Sequence, residues 1–209
     1  MKVSKEVWKL AVPSLLFCIA FIWLGWLPLA ILFLLLAAAF FFFFRDPERR
    51  PPEGEHLVVS PADGLVLSVD KLDSYPDLAG PVNRVAVFLS LLDVHIVRSP
   101  LASALARIDY RPGAFLPAYR PEAGEKNESS TLVMKEGKTD LVLKLIVGIA
   151  ARRIKTFAGA GDRVARGQRI GIIYFGSRTE LFLPAEVEIK VKPGDKVKGG
   201  ETIVAEVKP

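Results

Sequence analysis

The sequence predicts a mainly β domain of two pseudo-symmetric halves, carried behind an N-terminal helical hairpin. Three observations predict it. Residues 10–44 hold no charged side chain, whereas charge and short β-type runs fill the rest of the 209-residue chain. Gly161-Asp162-Arg163-Val164-Ala165-Arg166-Gly167-Gln168-Arg169-Ile170 repeats as Gly194-Asp195-Lys196-Val197-Lys198-Gly199-Gly200-Glu201-Thr202-Ile203 at a constant offset of 33. Between the copies, residues 174–179 interrupt the pattern where a hairpin turn is expected, with Gly176-Ser177 at its centre.

The apolar stretch exceeds the roughly 20 residues of a single membrane span. Gly25-Trp26-Leu27-Pro28 divides it, so we read residues 1–44 as a hairpin anchor with Trp23 and Trp26 near the division. A single tilted helix is the alternative. Lys2, Lys5 and Lys9 before the stretch, and Arg45, Arg49 and Arg50 after it, place both flanks on the cytoplasmic side of the cell membrane. The stretch is too long for a signal peptide and lacks a small-x-small cleavage site. Residues 45–55, rich in proline and charge, form a linker, and residues 56–209 form the β-rich domain.

Composition excludes several classes of function. The one cysteine, Cys18, lies in the apolar stretch, and the only histidines are His56 and His95, which excludes an intramolecular disulfide and argues against a zinc centre. A net charge of +5 without a long basic run fits an anionic membrane surface better than nucleic acid.

Past the linker, residues 57–60 and 65–69 read as strands around the turn Pro61-Ala62-Asp63-Gly64. Residues 82–92 form a further apolar run. Alternation continued into 93–98 puts Asp93, His95 and Val97 on one face. Residues 111–128, with three prolines, read as a long loop of the kind used for lids. Residues 131–134 and 141–149 read as strands joined at Glu136-Gly137-Lys138, and Arg152-Arg153 is a basic doublet suited to phosphate oxygens. A serine hydroxyl after glycine can attack the preceding carbonyl, converting the Gly176-Ser177 amide to an ester. β-Elimination and hydrolysis then leave a pyruvoyl group on the new N-terminus. Glycine has no Cβ to hinder that attack, and we expect this bond to lie in an exposed, flexible turn.

Taken in order, Ser60-Pro61-Ala62-Asp63-Gly64, Asp93-Val94-His95, Phe115-Leu116-Pro117-Ala118-Tyr119, Asn127-Glu128, Ile149-Ala150-Ala151-Arg152-Arg153-Ile154 and Phe175-Gly176-Ser177-Arg178 resemble the phosphatidylserine decarboxylase family, in its short membrane-anchored prokaryotic branch. The resemblance implies a proenzyme cut between Gly176 and Ser177 into a large and a small chain. It implies a covalent pyruvoyl cofactor derived from Ser177, a phospholipid substrate, no metal, and a chain able to form a homodimer. Asp63, His95 and Ser177 are the implied catalytic set, with His95 also returning a proton after loss of CO2. Arg98, Tyr119, Arg152, Arg153 and Arg178 are candidates for substrate binding. Two departures stand out. Longer members have a second histidine where this chain has Arg98, and they read Leu-Gly-Ser-Thr where it reads Phe175-Gly176-Ser177-Arg178. An ether-linked archaeal phosphoserine lipid is an alternative substrate. The Gly-Asp repeats also resemble biotinyl/lipoyl-type barrel-sandwich domains, which we take as the fold class. That likeness makes a non-catalytic membrane-anchored carrier or adaptor the rival from another class, although no modifiable lysine occupies the turn between the halves.

Overall fold

In the computed structural model, which describes residues 2–137, 139–149 and 153–207, the chain divides into two units, residues 1–48 and 49–209. In the first, α1 (Trp8–Trp23) and α2 (Leu27–Phe43) are joined at Gly25, whose φ of 74° makes the reversal. The two helices pack antiparallel. Ala11, Ser14 and Cys18 of α1, at helical spacing, are buried along with Ala30 and Ala37 of α2, and small residues allow the backbones to approach closely. Phe33 stacks on both Phe17 and Phe21, and Trp8 meets Phe41 edge-on. One helix, Lys5–Trp23 with its short 3-10 start, has the length and hydropathy to cross a membrane, and α2 is shorter. Their outward faces are apolar and exposed, including Leu16, Ile19, Leu27 and Leu35.

The second unit contains β1 (Leu57–Val59), β2 (Gly64–Leu72), β3 (Val82–Leu89), β4 (Ile96–Arg98), β5 (Ser103–Arg111), a one-turn α3 (Ala123–Lys126), β6 (Ser129–Lys135) and β7 (Leu141–Val147). It continues with β8 (Ile154–Thr156), β9 (Arg163–Val164), β10 (Arg169–Ile173), β11 (Ser177–Pro184), β12 (Glu188–Ile189), β13 (Lys196–Val197) and β14 (Ile203–Glu206). The mainly β class therefore holds. The strands form one eight-stranded sheet, β13-β2-β3-β11-β7-β6-β5-β9, and two three-stranded sheets, β1-β14-β12 and β4-β10-β8.

That order is a palindrome about the β11–β7 pair, and the hydrogen bonds repeat across it. Gly161 donates to Leu105 O at 2.7 Å, and Gly194 donates to Val66 O at 2.9 Å. The N–H groups of Gly167 and Gly200 reach Ser99 O and Ser60 O, both at 2.8 Å. Equivalent bulges interrupt β2 after Val66 and β5 after Leu105. The Gly-Asp repeat is thus half of a larger duplication. Its other half is His56-Leu57-Val58-Val59-Ser60-Pro61 against His95-Ile96-Val97-Arg98-Ser99-Pro100, which the sequence reading passed over. These two Ser-Pro turns pin each other, Val59 N to Pro100 O at 2.9 Å and Arg98 N to Pro61 O at 2.8 Å.

The main core lies on one face of the large sheet, where Val66, Val85, Val87, Leu132, Leu143 and Leu181 are buried together. On the other face, Tyr75 stacks on Phe182, their ring centroids 3.6 Å apart. Burial on both faces explains why β11 reads as a continuous run rather than an alternating one.

Candidate active site

Ser177 opens β11 instead of lying in a turn. It pairs with Leu89 of β3 on one side and Val147 of β7 on the other. The turn shrinks to Tyr174-Phe175-Gly176, and Ser177 is completely buried. The expectation of an exposed, flexible bond is therefore corrected: ladder partners on both edges of the strand and the apolar run Leu181-Phe182-Leu183 extend it back to the serine. Its Oγ is buried and has no hydrogen-bond partner among the described residues.

Strain collects just before it. Phe175 has φ 52° and Gly176 φ 70°, successive residues in the left-handed region, where a residue with a Cβ costs on the order of 1–2 kcal/mol. The Gly176 N–H donates to His95 Nε2 at 3.0 Å, and His95 Nδ1 lies 3.0 Å from Asp93 O. An acceptor Nε2 requires the proton on Nδ1, so the ring is held in one tautomer between the Asp93 carbonyl and the Gly176 N–H. Alternation does not extend through Asp93, because residues 90–95 form a turn in which the Asp93 carboxylate accepts from Ser90 N at 2.8 Å and Ser90 Oγ at 2.6 Å. Asp93 thus serves the imidazole with its carbonyl, while its carboxylate closes the turn.

Asp63 accepts from Arg49 Nη2 at 2.7 Å and from Gly199 N at 2.8 Å. Arg98 is buried and donates to Gly167 O at 3.0 Å, next to the repeat glycines: its Cδ lies 2.8 Å from where a Cβ on Gly200 would sit. Tyr119 is exposed and meets Phe88 edge-on, and Arg153 is exposed. Arg152 lies outside the described residues. Arg178 is buried on the sheet face opposite Ser177, 2.5 Å from the Glu180 carboxylate. Burial pulls its guanidinium below the usual range, against the pull of Glu180.

The loop over 112–128 lies across this face as a strap. Arg178 donates to Arg120 O at 3.3 Å, and Lys144 donates to Gly124 O at 2.7 Å. The completely buried Asn127 ties the strap to the sheet: its amide accepts from Leu116 N and donates to Leu116 O and Val147 O, at 2.8–2.9 Å. Val147 is the residue paired with Ser177. Pro117, Ala118 and Tyr119 of the strap join Phe88, Leu91, Gly148, Ile149, Phe175 and Gly176 around an apolar groove of ≈ 150 Å³.

Gly148 is a site residue that sequence reasoning missed. A Cβ there would fall 2.5 Å from Gly176 O, the carbonyl oxygen of the Gly176-Ser177 bond. A lone glycine closing a buried strand is the signal that could have shown it. Gly148→Ala is expected to push that carbonyl out of line and slow self-cleavage by about 10²-fold, the usual cost of an ångström-scale misplacement. Following uncut chain with time on denaturing gels checks this, and wild-type cleavage kinetics in the variant would contradict it.

A buried serine, a left-handed glycine before it, an oriented imidazole and an apolar groove lined by that glycine come together around Gly176-Ser177. The family model described as phosphatidylserine decarboxylase matches residues 36–205. A phosphatidylserine decarboxylase proenzyme of Symbiobacterium thermophilum is 44% identical over 77% of this chain and 75% of its own length. Proteins of the same description from Zymomonas mobilis subsp. mobilis and Carboxydothermus hydrogenoformans are 42% and 40% identical, over 90% and 89% of this chain and 78% and 85% of theirs. The chain belongs to the phosphatidylserine decarboxylase family.

Proposed function

We propose that this protein is a self-processing enzyme that decarboxylates phosphatidylserine to phosphatidylethanolamine, with Ser177 as the source of its pyruvoyl cofactor. The observation that carries the assignment is the bonding of His95 Nε2 to the N–H of Gly176, one residue before an unpartnered, buried Ser177 Oγ. In maturation, His95 takes the Ser177 Oγ proton as the oxygen adds to the Gly176 carbonyl carbon. The amide C–N bond breaks, nitrogen is protonated, and an ester joins Gly176 to the serine oxygen. Loss of the Cα proton expels the Gly176 carboxylate, water replaces ammonia at the new terminus, and the chain is in two pieces.

Ser177 fits the cofactor because its Oγ has no hydrogen-bond partner among the described residues and it directly follows Gly176, which lines the apolar groove. The pyruvoyl group supplies an electrophilic carbonyl for the substrate amine and a sink for the electrons left by CO2. The chain's residues do the rest. His95 returns a proton to the substrate carbon. The groove keeps water from the reacting atoms, which strengthens electrostatic contacts within it. Tyr119, Arg153 and Arg152 are the proposed headgroup contacts. Arg178 and Arg98, being buried among protein partners, act through position. Asp63 is the proposed third member of the cleavage set, and Asp63→Asn is expected to slow cutting more than turnover.

Residues 1–44 are the proposed membrane hairpin, 45–55 the linker, and 56–209 the catalytic part on the cytoplasmic side, with a homodimer as the proposed assembly. The paired Gly-Asp-x-Val turns support a biotinyl/lipoyl-like barrel-sandwich plan for the strands they join. Matured protein in phosphatidylserine vesicles is expected to release one CO2 per phosphatidylethanolamine formed. Equal turnover of an ether-linked phosphoserine lipid would widen the substrate class. Cleaved protein that releases no CO2 from either lipid would contradict the assignment.

A further inference from the structure

The groove beside Gly176 measures ≈ 150 Å³, below the roughly 300–1,000 Å³ of pockets that enclose even a drug-sized ligand. It cannot take in two acyl chains. Leu91, Tyr119 and Ile149 of its lining are apolar, exposed and from three separate segments, and Leu92 and Phe115 follow or precede lining residues closely in sequence. Leu91 and Leu92, 54% and 72% exposed, lie on the turn after β3; Phe115 and Tyr119 on the strap; and Ile149 after β7. Large apolar side chains clustered in this way mark an interaction surface. Arg120, next to Tyr119, and Arg153, whose carbonyl accepts from Tyr174 N at 3.1 Å, are exposed cations flanking the rim.

We propose that this rim is a bilayer-docking surface of the catalytic unit itself, separate from the apolar helices. Leu91, Leu92, Phe115 and Ile149 enter the acyl boundary of an anionic phospholipid membrane, and Tyr119, Arg120 and Arg153 meet its headgroups. This rests on the phospholipid reading above. The substrate's tails stay in the bilayer, and only the serine headgroup rises into the groove. The partner is a membrane rather than a protein because apolar centre and cationic border together match a surface that is apolar below and anionic above.

The test uses full-length protein, one copy per nanodisc containing phosphatidylserine. With Cys18→Ser removing the only native thiol, an environment-sensitive fluorophore is attached at Leu92→Cys. A control carries it at Asp73→Cys, beyond the far end of β3, whose eight residues span about 25 Å. Doxyl-labelled lipid is expected to quench the label at position 92 several-fold more than the label at 73. Equal quenching would overturn the proposal, as would protection at 92 that scales with protein concentration in lipid-free detergent, which assigns the rim to a second copy. As a second readout, Leu92→Asp should raise KM for bilayer phosphatidylserine about tenfold, the order expected when one leucine's burial is lost. Turnover of a monomeric short-chain phosphatidylserine should be unchanged. Should the matured enzyme decarboxylate neither lipid, the substrate assignment fails, and the quenching contrast still decides whether the rim docks.

Discussion

Ser177→Ala is expected to accumulate as a single uncut chain with no decarboxylase activity. The substitution removes the one oxygen that can form the ester, and no water molecule attacking the amide would leave a pyruvoyl end. The variant should fold as well as the wild type. Ser177 Oγ is buried with no hydrogen-bond partner among the described residues, and replacing such a hydroxyl by hydrogen leaves no orphaned group behind. Thermal unfolding that matches the uncut wild type, together with absent cleavage on gels and absent CO2 release, separates lost chemistry from lost structure. Residual decarboxylation by uncut Ser177→Ala protein would remove Ser177 from the mechanism.

His95→Ala should impair both maturation and turnover, each by about 10²-fold or more, the usual worth of a positioned general acid or base. It also leaves the Gly176 N–H without its acceptor at 3.0 Å, so the left-handed geometry before the scissile bond loses a restraint. The two duties separate if the variant is incubated until cutting is complete and CO2 release is then measured per pyruvoyl group. Wild-type turnover in that matured variant would assign the returned proton to another group. Normal cutting with failed turnover would confine His95 to the second step. The structure sharpens this expectation because the Asp93 carbonyl, on the turn that precedes β4, holds the imidazole's other nitrogen.

Much of this was legible in the sequence for particular reasons. The Gly-Asp repeats were readable because each copy needs a positive-φ glycine at the same place, and Gly167 and Gly200 do adopt φ of 75° and 80°. The matching histidine-led segments, His56 to Pro61 and His95 to Pro100, share four of six residues but at an offset of 39 rather than 33, so the constant-offset repeat does not extend to them. Gly176-Ser177 was found by its position between the repeats. Its burial was not, since a Gly-Ser pair signals a turn locally and only ladder partners from β3 and β7 make it a central strand. Alternation misplaced Asp93 for a similar reason: a carboxylate three residues after Ser90 can close a turn, and that local bond prevails over strand continuation. Gly148 and Asn127 act through backbone contacts to residues far away in sequence, which periodicity cannot register.

The central claim is that the chain makes its own electrophile at Ser177, and the intact-mass spectrum of purified wild-type protein tests it most directly. The account predicts two chains, residues 1–176 and a 33-residue fragment 177–209, with the fragment lighter by one NH3 than the same peptide carrying an N-terminal serine, and resistant to Edman degradation. A single 209-residue species that nevertheless decarboxylates phosphatidylserine, or a fragment with the full mass of the serine-ended peptide in the active enzyme, would contradict it.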